Sequence, residues 1–117
     1  MSLFRSSNIM DLSQRIYILG KQKQIVEHKV VCFLRNLTEV QKKIGESNII
    51  VLIEKSKHLL LQLDKWERCV LTVLLGKRVT LEELNRECLL LRRMERLYFG
   101  YSSEYNEILQ RFICYKR

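Results

Sequence analysis

An apolar side chain recurs every third or fourth position for about five heptads at the start of this chain, and no proline interrupts it anywhere. From Ile9 the series runs Leu12, Ile16, Leu19, Lys23, Val26, Val30, Phe33, Leu37, Val40, Ile44, with Lys23 its one polar member. Steps alternating between three and four keep side chains on a single stripe of a helix, so the spacing predicts one helix from about residue 8 to 44, roughly 55 Å long at 1.5 Å per residue. Gly20 lies inside that span and costs about 1 kcal/mol relative to alanine, which makes it the expected place for a bend or a split. Lys23, three residues on, then reads as the point where the helix leaves the core rather than as a register marker.

Gly45 is placed to end this helix in the left-handed conformation, and Ser47 or Asn48 to cap the next. So short a turn forces an antiparallel hairpin. The second series is Ile49, Leu52, Ser56, Leu59, Leu63, Trp66, Val70, Val73, on a helix expected over residues 48 to 75. Apolar residues make up 47% of the chain, far below their occupancy of these two seams, so chance does not account for the pattern. Beside the second seam runs another stripe, Ile50, Ile53, Leu60, Leu71 and Leu74. A helix apolar on several faces has to be surrounded, and one antiparallel neighbour does not suffice. These five residues, with Leu59, Leu63 and Trp66, form the expected partner-binding surface.

Gly76 closes the second helix, and Val79-Thr80-Leu81-Glu82-Glu83-Leu84 opens a third: Thr80 as N-cap, Glu83 reaching back, Val79 against Leu84. The third series, Leu81, Leu84, Cys88, Leu91, Met94, Tyr98, Tyr101, Tyr105, Ile108, Phe112, Tyr115, contains two consecutive steps of three, so its stripe drifts around the helix. Gly100, followed by Ser102 and Ser103, predicts a break into helices over 81 to 99 and 103 to 115, with a continuous helix as the alternative. Tyr98, Tyr101 and Tyr105 share one stripe, which suits either core or a protein interface. The fold class that follows is all-α: an antiparallel hairpin of long helices plus one or two more, an elongated, coiled-coil-like bundle of three to four helices in a single domain of 117 residues, with residues 1 to 7 as a flexible tail.

The formal net charge is +8, carried by the first and last thirds of the chain and not by the middle. That favours acidic partners or nucleic acid. On the first helix Arg15, Lys29 and Lys43 fall at one flank of the seam with only Glu27 opposite, and the second helix supplies mainly Glu67 and Lys55 at its own flanks, so this basic edge has no obvious match within the chain. An acidic helical partner would match it, and a second copy of the chain is the other expected occupant. Lys77 and Arg78 ahead of the third helix, with Arg92, Arg93 and Arg96 on it, are candidate phosphate contacts for RNA or DNA.

Few residues suit catalysis. Four cysteines without a Cys-x-x-Cys pair and two histidines without a zinc-protease or di-iron spacing leave no expected metal, cofactor or active site. His28 with Cys32 makes at most half a metal site, and Glu54 with His58 an ordinary pair one turn apart. Apolar runs such as Ile49 to Ile53 fall far short of the roughly 18 to 20 residues of a membrane span. Asn8, Asp11, Gln14 and Arg15 break up any secretory leader. The expectation is an intracellular, non-enzymatic interaction subunit of the cytoplasm or nucleus.

Overall fold

A computed structural model describes residues 12–71 and 80–116. They form three α-helices: α1 (Leu12–Ile44), α2 (Ser47–Trp66), continued by a π-helical turn over Glu67–Leu71, and α3 (Leu81–Lys116). No strand occurs among the described residues, and the fold class is the all-α bundle that the heptads predict. The radius of gyration is 17.7 Å and the long axis 59 Å, against about 13 Å for the radius of a compact chain of 100 residues. The bundle is a rod, as long as its helices.

The hairpin turn is Gly45 and Glu46. Gly45 has φ +65°, and its N–H donates to the Gln41 carbonyl at 2.9 Å, closing α1 as expected of a glycine. The cap of α2 is not Ser47 or Asn48: Glu46, in extended conformation, holds the N-cap position without a side-chain bond. Its carbonyl accepts from the N–H groups of Ile49 and Ile50, and Asn48 Nδ2 donates back to Glu46 Oε1 at 3.3 Å. Thr80 does cap α3, its Oγ1 accepting from the Glu83 N–H at 3.2 Å.

The direction of α3 follows from its contacts with α1. Lys29 meets Glu95, Phe33 meets Tyr98, and Asn36 meets Tyr105, so residue numbers rise together along both helices. The order is therefore up, down, up, with α1 and α3 parallel and α2 running against both.

The seams become the core. Leu19, Val26, Val30, Leu59, Leu63, Trp66, Leu84, Cys88 and Leu91 form one buried cluster, and Phe33, Leu37, Ile49, Leu52 and Tyr105 a second. Each aliphatic side chain so buried contributes about 1.5 to 3 kcal/mol against the entropy of ordering the chain. The drift of the third series appears as half-buried Met94, Tyr98 and Tyr101 between the buried Leu91 and Tyr105.

Two expected breaks do not occur. α1 runs unbroken through Gly20, and α3 runs unbroken through Gly100, so the break into 81 to 99 and 103 to 115 is corrected to one helix. Tyr98 on one side of Gly100 and Tyr101 and Tyr105 on the other belong to or pack against the same core cluster, and that burial outweighs the roughly 1 kcal/mol a helical glycine costs.

Candidate functional site

Lys23 is where the sequence reading erred most usefully. Its side chain is 3% exposed, inside the seam and not leaving it. Its Nζ donates to Glu27 Oε2 at 2.7 Å, one turn along α1, and to Glu67 Oε2 at 2.6 Å in the π-helical turn after α2. Burial pushes the Lys23 ammonium down, but hydrogen bonds and charge from Glu27 and Glu67 outweigh it and hold its pKa above 10.5. A buried charge with partners on two helices fixes their register, because a slipped pairing would strand it.

The aromatic stripe of α3 is largely core. Phe33 lies edge-on to Tyr98 at 5.6 Å and to Tyr105 at 5.7 Å. Tyr105 is buried and its hydroxyl accepts from Asn36 Nδ2 at 3.4 Å. Trp66 is also interior, its indole N–H donating to Glu87 Oε2 at 3.1 Å on α3.

Much of the expected partner surface of α2 therefore belongs to the chain itself. Leu59, Leu63 and Trp66 lie in the first core cluster, and Ile53 and Leu60 pack half-buried against the two clusters. The reason is that α2 packs against both other helices. Of the described members of that stripe only Ile50 is exposed, at 48%, joined by Val51 and by Leu61 at 68%. Glu54 with Lys57 at 3.8 Å and Asp64 with Arg68 at 3.1 Å neutralise the same outer face of α2. The side chain of Leu71, and all of Leu74, Lys77 and Arg78, lie outside the described residues.

A different face is left open. Viewed away from α2, the line where α1 meets α3 is a cleft of about 160 Å³ lined by Gln22, Val26, Cys88, Leu91, Arg92 and Glu95. Beside it stand three exposed apolar side chains: Ile25 on α1 at 49%, and Leu89 and Phe99 on α3 at 62% and 52%. Lys29, one turn above Ile25, bonds Glu95 at 3.2 Å and lies 5.3 Å from the centre of the Phe99 ring. The basic flank of α1 thus has a match within the chain, contrary to expectation, because α3 brings Glu95 to Lys29. Arg93 and Arg96 are exposed on α3 and Arg92 is half-buried.

Sequence reasoning missed Ile25, Leu89 and Phe99. Their signal was present: Ile25 precedes seam residue Val26, Leu89 follows seam residue Cys88, and Ile18, Ile25 and Cys32 repeat every seventh residue, which places them on the shoulder of the buried stripe.

His28 and Cys32 do meet, Nε2 to Sγ at 3.6 Å. No group of three or more His, Cys, Asp or Glu side chains able to hold a metal ion occurs among the described residues, and none of the described helices is long and apolar enough to cross a membrane. No family model, curated protein or solved structure matches the chain.

Proposed function

We propose that this chain is a non-catalytic interaction subunit whose helices complete a bundle with a helical protein partner. The observation that carries the reading is the pair of parallel helices α1 and α3, whose outer side keeps Ile25, Leu89 and Phe99 in solvent over a cleft floored by core residues. Three helices close one interior, and the outer line between two of them is where a further helix packs in a four-helix arrangement. The test is the mass of the tagged chain recovered from cells that express it. Recovery in a stoichiometric complex heavier than one chain, stable as salt rises, supports the reading. A cooperative monomer that brings nothing with it counts against it.

A second reading, binding to RNA or DNA, is favoured by one observation: Arg86, Arg93 and Arg96 are exposed on α3. It predicts affinity for an oligonucleotide that falls steeply between about 50 and 200 mM salt and is lost on combining Arg93→Glu with Arg96→Glu. The apolar shoulders favour a protein, because phosphate contacts do not bury leucine or isoleucine side chains.

A further inference from the structure

We propose that the outer groove between α1 and α3 seats one acidic amphipathic helix of a partner protein, as the fourth helix of the bundle. This rests on the interaction-subunit reading and names the site and the chemistry of its occupant.

Charge selects the occupant. The groove is basic on both banks, with Lys21 and Arg35 on the exposed side of α1 and Arg92 and Arg96 on α3. Glu95, the acid that lines the cleft, is already held by Lys29. No acid among the described residues pairs with Arg35 or Arg96. The outer face of α2 is the useful contrast, because there Glu54 answers Lys57 and Asp64 answers Arg68. A second copy of this chain would bring the same basic banks to the groove and repel itself.

Shape selects a helix. Ile18, Ile25 and Cys32 are seven residues apart on α1, and Leu89 and Phe99 stand on the facing shoulder of the parallel helix α3. An apolar stripe with a period of seven meets such a groove along its length, and glutamates flanking that stripe fall against the two basic banks. An extended nucleic-acid strand would meet the arginines and leave the apolar shoulders uncovered.

The probe is a capped, fluorescent peptide of about three heptads with leucine at the seam and glutamate at both flanks; a copy with lysine flanks and a short oligothymidylate serve as controls. Binding is read by anisotropy with the full chain. The expected result is saturable binding of the acidic peptide alone, weakened about tenfold or more by combining Ile25→Ser with Leu89→Gln, and about threefold or more by Arg96→Glu. Leu61→Gln, on the outer face of α2, should leave it unchanged. All these positions are exposed, so the variants keep the fold, and circular dichroism verifies that.

Binding that survives Ile25→Ser with Leu89→Gln but is lost with Leu61→Gln overturns the groove as the site. Preferential binding of the oligothymidylate overturns the occupant in favour of nucleic acid, and a concentration-dependent dimer blocked by Leu89→Gln does so in favour of a second copy. If the acidic peptide fails to bind while the complex recovered from cells still exceeds one chain, this occupant is wrong and the interaction-subunit reading stands. If the recovered protein is also a monomer, both fall.

Discussion

Replacing Lys23 separates what holds the hairpin together from what sets its register. The ammonium makes two short bonds from a buried seam position, but Glu27 and Glu67 are each 37% exposed, so their charges stay hydrated and screened. Each bond is then worth about 1 kcal/mol at most. Methionine in place of Lys23 removes both bonds but puts an apolar chain of similar length into the seam, which returns roughly 1 to 2 kcal/mol. Lys23→Met should therefore change stability by no more than about 1.5 kcal/mol in either direction. Lys23→Ala loses the bonds and leaves a void beside Leu19 and Val26, and should cost about 2 to 4 kcal/mol. Urea unfolding followed by helical circular dichroism measures both. If Lys23→Met costs more than about 3 kcal/mol, the bridge contributes beyond what half-hydrated carboxylates can supply. If Lys23→Ala changes stability by less than about 0.5 kcal/mol, Lys23 does not lie in the α1–α2 interface, and the register argument fails.

Three further outcomes follow from burial. Ser56 is wholly buried at a seam position of α2 and its Oγ meets no hydrogen-bond partner among the described residues, so Ser56→Ala should stabilise the fold by about 1 kcal/mol; a loss of stability in the same urea series would mean that the hydroxyl is satisfied. Leu63→Ala, at 0% exposure, should cost about 2 to 5 kcal/mol, while Leu61→Ala, two residues earlier and 68% exposed, should stay within about 0.5 kcal/mol, and equal effects would contradict the assignment of the seam. Alkaline pH should destabilise the chain. Lys23 is held above 10.5 despite burial, by Glu27 and Glu67, while burial raises Tyr101 and Tyr105 above 10.0, helped at Tyr101 by Glu104 and opposed at Tyr105 by Asn36. For all three the protonated form is favoured on folding, so their contribution is complete below the unfolded values and is lost as pH rises through the folded ones. Helical signal should thus fall together with the ionisation of Tyr101 and Tyr105 above about pH 10, and ionisation of these two with the helices intact would refute the coupling.

Periodicity carried most of the fold. The buried residues of α2 are Ile49, Leu52, Ser56, Leu59, Leu63 and Trp66, the seam as read from spacing alone, Ser56 included, because a stripe buries whatever occupies it. The glycines were harder to read. Gly45 terminates a helix whereas Gly20 and Gly100 do not, and the difference lies in tertiary packing: tyrosines on both sides of Gly100 are tied into one interior, a fact no local window contains. Lys23 was misread for the same reason. Its partner Glu67 is on another element, 44 residues away, so only the pairing of helices makes a charge at a seam position intelligible.

The candidate site was less legible than the fold. The sequence shows that α2 is apolar around much of its circumference, but not which of its stripes α3 will cover. With α3 in place, Ile53 and Leu60 are half-buried and Ile50, Val51 and Leu61 are left exposed. The open apolar surface moved instead to the shoulders of α1 and α3. Those shoulders could be identified only once the two helices were known to be parallel and adjacent, since Ile25 and Leu89 lie in different segments and off both seams.

The central claim is that a partner helix occupies the α1–α3 groove. Its most direct test compares the mass of the complex recovered from cells for the native chain and for Ile25→Ser combined with Leu89→Gln. The account predicts that the native chain is recovered in a complex well above the 14.1 kDa of one copy, and that the double variant, still helical, is recovered at 14.1 kDa. A variant complex as heavy as the native one, or a native chain recovered alone, would contradict it.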